Sequence, residues 1–121
     1  MLGIKTDHVL RRYLRYANAL PLVVDLRQLW DAQRDFSERA FPGVTPLAVL
    51  RHIESEVREA IEDPDDIREW ADMLLLVIDG VRRQGFELED LIRAAFVKLD
   101  VNEGREWPVL ADKNLPVEHK R

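Results

Sequence analysis

Between Ile67 and Val81 the chain is apolar on almost every side of a helix. Ile67, Trp70, Ala71, Met73, Leu74, Leu75, Leu76, Val77, Ile78 and Val81 together cover nearly the whole circumference. A helix of that kind is expected to be buried. Glu69, Asp72 and Asp79 nevertheless sit inside it. An ionised carboxylate is costly in apolar surroundings unless it is paired or bound to metal. The segment therefore requires helical partners, and its three acids mark a candidate functional site.

The same helical period runs through the rest of the sequence. Val9, Leu10, Tyr13, Leu14 and Ala17 predict a short first helix, broken at Pro21. Leu22, Leu26, Leu29, Trp30, Gln33 and Phe36 predict a second, ending near Ala40 before the stop signal Phe41-Pro42-Gly43. Thr45-Pro46, a hydroxyl cap followed by proline, opens a third helix over 46–62. Asp63-Pro64 repeats that signal and predicts a fourth over 64–84, closed by Gly85. A fifth runs from Glu87 or Glu89 to Arg105, and the tail from Val109 to Arg121 is expected to be irregular. The fold class is all-α, a bundle of about five helices. Residues 1–121 suffice for a single domain with one modest core.

Two pairs of acids give the fourth helix its partner. Glu56 and Glu59 lie three apart on the third helix, and Glu69 and Asp72 lie three apart on the fourth. Counted from residue 64, Glu59 and Glu69 are both five away, and Glu56 and Asp72 are both eight away. With a rise of about 1.5 Å per residue, an antiparallel hairpin places Glu59 against Glu69 and Glu56 against Asp72. Four such groups do not stay ionised together without a cation. Oxygen ligands alone, with no cysteine in the chain, suit Mg²⁺ or Mn²⁺. Either pair by itself also fits a solvated helix face. A di-iron bundle would require a histidine three residues after a glutamate, and His52 does not meet that spacing.

Other residues carry two readings each. Lys98, Asn102 and Arg105 share a face of the fifth helix; they can hold phosphate or sugar or form a solvated end favoured by the helix dipole. His52, one turn before Glu56, can touch substrate, orient a carboxylate or be purely structural. Trp30, Gln33 and Ser37 lie near one stripe of the second helix with Phe36, as base contacts or as core. Asp79 can line the same site or pair with Arg82 or Arg83.

Composition narrows the class. The sequence is 46% hydrophobic, which argues against disorder. A formal charge of -5 argues against nucleic acid as the main partner. It also means that a phosphate substrate needs metal to invert the local sign. The first sixteen residues scatter Lys5, Asp7, Arg11, Arg12 and Arg15 with no apolar segment after them, which argues against a secretory signal. No apolar run approaches a membrane span. A cytoplasmic location is expected.

Three stretches resemble a known family. His52–Ile61 (HIESEVREAI), Glu69–Gly80 (EWADMLLLVIDG) and Lys98–Pro108 (KLDVNEGREWP) are similar to the MazG-like all-α NTP pyrophosphohydrolases, and most of all to their phage dATP/dGTP diphosphohydrolase (MazZ-like) branch. Asp35–Gly43 and Val117–Arg121 resemble that branch at its two ends. The resemblance covers about 35 to 121. It implies a homo-oligomer, dimer or tetramer, that splits a (d)NTP into (d)NMP and pyrophosphate with Mg²⁺, Mn²⁺ also serving. It implies metal ligation by Glu56, Glu59, Glu69 and Asp72; for the mechanism, Glu56 or Glu59 is expected to position or deprotonate the water, and the sequence does not separate ligand from base. Lys98, Asn102 and Arg105 become substrate contacts. A purine substrate, dGTP ahead of dATP, is the expectation from resemblance alone. Ala40 departs from the branch, which often has a hydroxyl residue there.

Oligomerisation is also expected on physical grounds, because so little chain is left to cover the apolar fourth helix. The competing readings are a non-catalytic helical interaction module with an acidic surface, and a related dUTP or phosphoribosyl-ATP hydrolase.

Overall fold

The computed structural model describes residues 19–120, with side chains from Asp25 onward. The helix expected over Val9–Ala17 lies outside the described residues. Among the described residues there are four helices and no strand: α1 (Ala19–Ala40), α2 (Pro46–Glu62), α3 (Ile67–Arg83) and α4 (Leu88–Glu103). The all-α expectation holds. The break expected at Pro21 is corrected: the described helix runs through it, from Ala19 to Ala40.

The chain divides into two compact units, Met1–Leu91 and Ile92–Arg121. In the first, α2 and α3 form an antiparallel hairpin. Near the turn Glu59 lies across from Glu69. At the open end Gly80 lies against Val49, and a Cβ added at residue 80 would meet Val49 Cγ1 at 3.1 Å. The pairs 59 with 69 and 49 with 80 keep the same antiparallel register to within one residue along the hairpin. The absent side chain of Gly80 permits this close helix approach.

Local signals set the helix ends. Thr45 Oγ1 accepts the Ala48 amide at 3.1 Å and Pro46 opens α2, as its sequence predicts. The start of α3 is a correction. Asp63-Pro64 does not cap it; Asp63 is the C-cap of α2, its amide donating to the Glu59 carbonyl at 3.2 Å. Proline disfavours the helical region for the residue before it, so Asp63 leaves the helix at φ -142. The N-cap is Asp66, whose side chain accepts the Arg68 amide at 3.0 Å. Trp70 Nε1 closes the turn by donating to the Pro64 carbonyl at 3.0 Å. At the other end Gly85 takes φ 97. Its amide bonds the Arg82 carbonyl, and the Phe86 amide reaches back to that of Val81, the Schellman arrangement.

Helix α1 packs on α3, and Trp30, Val49, Ala60, Ile78 and Leu88 form the buried apolar set. Within a single chain the burial of α3 is partial, as the shortage of covering chain implies. Within this chain Ile67, Trp70, Leu74 and Val77 are 76%, 53%, 47% and 40% exposed. Among the described residues, α1 and α2 cover only part of its circumference and leave that stripe open.

In the second unit α4 gives way at Gly104 to the irregular tail expected from the sequence. Trp107 donates its indole N–H to the Asn102 carbonyl at 2.8 Å. The Lys120 amide donates to the Glu106 carbonyl at 2.8 Å, bringing the tail back to the end of the helix. Among the described residues no helix is long and apolar enough to cross a membrane.

Candidate metal centre

The spacing of Glu56 and Glu59 on α2, and the antiparallel turn, place both beside Glu69 of α3. One carboxylate oxygen from each of the three lies within 4.8 Å of the others. Glu56 and Glu69 are half-buried and Glu59 is exposed. Glu56 Oε2 and Glu69 Oε2 are buried and have no hydrogen-bond partner. A buried unpaired oxygen costs free energy, and a hard cation relieves that cost with the donor chemistry it prefers. Asp72 lies outside the trio and is exposed, yet its charge acts on both Glu56 and Glu69.

The electrostatics match the crowding. Burial pushes Glu56 above the usual carboxylate range, and the hydrogen bond and charge of Glu59 and the charge of Asp72 push it further. His52 pulls the other way: its Nε2 lies 3.1 Å from Glu56 Oε1. Of the readings open to this histidine, the structure realises the contact with a carboxylate. Glu69 is raised by burial first and then by the charges of Glu59, Asp66, Asp72 and Asp63. Charges of one sign thus meet where water is partly excluded, the situation a divalent cation resolves.

Asp79 belongs to a different arrangement. It is 5% exposed and paired with both neighbouring arginines, Arg82 Nη2 at 2.9 Å and Arg83 Nε at 2.8 Å. Burial alone would raise it; hydrogen bonds from Arg83, Ser37 and Arg82 outweigh burial and hold it below the usual aspartate value. Arg83 continues to Ser37 Oγ at 2.6 Å, the Phe41 carbonyl at 3.0 Å and the Val44 carbonyl at 2.7 Å. This one guanidinium ties α3 to the end of α1 and to the loop before α2. The sequence pointed to an Asp79 pair but held no signal for the two carbonyls, since backbone acceptors have no side-chain signature.

The stripe on α1 divides. Trp30 is 2% and Ser37 0% exposed, one in the apolar core and the other bonded to Arg83. Gln33 is half-buried. In the second unit Lys98 is exposed one turn before Asn102, and Arg105 Nη1 donates to Asn102 Oδ1 at 3.3 Å.

The MazG-like pyrophosphohydrolase of cyanophage S-2L, solved with dGDP and three catalytic Mn²⁺ ions per active site, matches with a TM-score of 0.61 and 25% identity, over 78% of this chain and 92% of that one. The fold is MazG-like. The Eaa protein of Salmonella phage P22 is 38% identical over 90 residues, 74% of this chain, and the chain spans only 28% of that relative's length. Residues 29–120 match the dATP/dGTP pyrophosphohydrolase family, and the chain belongs to that family.

Proposed function

We propose that the chain, acting as one domain, is a divalent-metal-dependent hydrolase that converts dGTP or dATP to the monophosphate and pyrophosphate. The observation that carries this reading is the Glu56, Glu59 and Glu69 cluster, with two buried carboxylate oxygens that no hydrogen bond satisfies. The family match and the dGDP and Mn²⁺ bound to the cyanophage relative support the substrate class and the need for metal. Mg²⁺ is the proposed physiological ion, with Mn²⁺ accepted.

In this reading Glu56, Glu59, Glu69 and Asp72 hold the metal. When bound, the ion offsets negative charge on the triphosphate and acidifies water. Glu56 or Glu59 accepts the proton of a water whose oxygen attacks the α-phosphorus. The α–β bridging bond breaks, and pyrophosphate leaves with its electron pair. Lys98 and Arg105 screen that charge, and Asn102 bonds phosphate or sugar. His52 orients Glu56. Of the α1 stripe, Gln33 is the residue this reading keeps as a base contact, because Trp30 and Ser37 are enclosed in the fold. A homo-oligomer, dimer or tetramer, covers the open stripe of α3, and the host cytoplasm supplies the nucleotides.

The test is a panel of dNTPs and NTPs with product analysis, on the wild-type chain and on Glu59→Ala and Asp72→Ala. The expected result is dGMP or dAMP with pyrophosphate from wild type, none from either variant, and unchanged helical content. Full activity in either variant would sink the metal-site reading. Preference for dUTP or phosphoribosyl-ATP would move the substrate. No pyrophosphate and no metal-dependent stabilisation would leave a non-catalytic module.

A further inference from the structure

The last turn of a helix leaves carbonyls without intrahelical partners and tends to fray. Asn102 lies in that turn of α4, yet both of its acceptors are occupied. Its backbone carbonyl takes the Arg105 amide at 3.2 Å and the Trp107 indole Nε1 at 2.8 Å. Its side-chain Oδ1 takes Arg105 Nη1 at 3.3 Å. The amide and the guanidinium are therefore held against each other just where the helix ends.

Trp107 is itself secured. Its ring meets His119 edge-to-face, with centroids 5.9 Å apart and planes at 76°. The Lys120 amide pins the tail to the Glu106 carbonyl at 2.8 Å. Indole N–H is a donor only, so the bond to Asn102 has a single polarity and no competing arrangement. An amide and an arginine that must meet an anion in fixed geometry gain from such support, because less side-chain freedom is lost on binding.

We propose that Trp107 is a positioning residue for nucleotide binding: it fixes Asn102 and, through it, the Asn102–Arg105 pair, while the tail around His119 holds the indole in place. This rests on the reading of Lys98, Asn102 and Arg105 as nucleotide contacts. The ligand class is the phosphate or sugar of a deoxynucleoside triphosphate. The tail becomes part of the binding apparatus without itself touching the ligand.

The experiment uses the full chain and steady-state dGTP turnover with Mn²⁺. Trp107→Phe keeps a ring and removes the N–H. The expected result is a KM raised ~5-fold, the scale of one lost hydrogen bond, with kcat little changed and Mn²⁺ binding without nucleotide unaltered. In an Asn102→Ala background the same substitution should add little, because the group it positions is gone. Fully additive effects, or an unchanged KM in Trp107→Phe, overturn the proposal. His119→Ala loosens the same support from the tail side and should raise KM in the same direction by less. This variant decides the matter if Trp107→Phe fails to fold, and a lowered melting temperature with unchanged KM then makes the tail purely structural and overturns the proposal. If Asn102→Ala and Arg105→Ala both leave KM unchanged, the nucleotide-contact reading falls and takes this one with it. If they raise KM and Trp107→Phe does not, only the positioning role is lost. Absence of wild-type turnover overturns both.

Discussion

Glu56 on one arm of the hairpin and Glu69 on the other each keep a buried carboxylate oxygen that accepts no hydrogen bond. Both groups are raised above the usual glutamate range, by burial first and then by their acidic neighbours. The metal-free fold therefore carries an electrostatic cost that a cation converts into a gain. Glu69→Gln and Glu56→Gln should each raise the melting temperature of the metal-free protein while abolishing its stabilisation by Mn²⁺. Thermal melts with and without Mn²⁺ give the check. A variant that melts lower than wild type and still responds to the ion contradicts the account.

Asp79 predicts the reverse behaviour. Its carboxyl is held below the usual aspartate value by Arg83, Ser37 and Arg82 despite burial. A group depressed in the folded state contributes stability above its unfolded pKa, about 3.9, and loses it as pH falls through the folded value. Asp79→Asn should cost about 3 kcal/mol at neutral pH, the scale for breaking a buried pair, and should flatten stability against pH below that point. Ser37→Ala should cost about 1 kcal/mol without changing the metal response. Denaturant titrations from neutral to acid pH measure both.

Gly80 tests the hairpin's close contact. Glycine to alanine inside a helix ordinarily gains about 1 kcal/mol. Here the new Cβ would stand 3.1 Å from Val49 Cγ1 and 3.7 Å from its Cβ, and Val49 is only 4% exposed. Overpacking of that kind costs about 1–3 kcal/mol, so Gly80→Ala should be destabilising overall. In a Val49→Ala background it should become stabilising. A double-mutant cycle reads the sign change, and two purely additive costs would show that the helices do not meet there.

How much of this was legible beforehand depended on whether the signal was local. Thr45-Pro46 contains its own cap and its own start, and the structure follows it. The facing of Glu59 and Glu69 required only a turn position and a helical rise. Asp63-Pro64 carries the same letters as Thr45-Pro46 but opens no helix. Pro64 instead helps to end α2 at Asp63, and the cap role passes to Asp66. Ser37 and Trp30 read equally well as base contacts or as core, because a stripe records which residues share a face but not what that face meets. The Arg83 bonds to Val44 and Phe41 were out of reach for the same reason: they depend on where a distant loop returns.

The remaining prediction concerns the stripe of α3 that the described residues leave open. Ile67, Trp70, Leu74 and Val77 recur at spacings of three, four and three, so they share one side of the helix. All four are well exposed. Exposed apolar side chains aligned in this way normally meet a partner, and a second copy of the chain brings the same stripe by symmetry. Leu74→Lys and Val77→Glu each place a charge in that seam at positions distinct from the carboxylate pairs. Either should convert an oligomer to monomer by light scattering at micromolar concentration, with melting temperature falling and losing its dependence on protein concentration. Loss of turnover together with assembly would place part of the site in the neighbouring subunit, whereas a fully active monomer would confine the site to one chain. A wild-type protein that is already monomeric would remove the oligomer from the account and leave the open stripe to another partner.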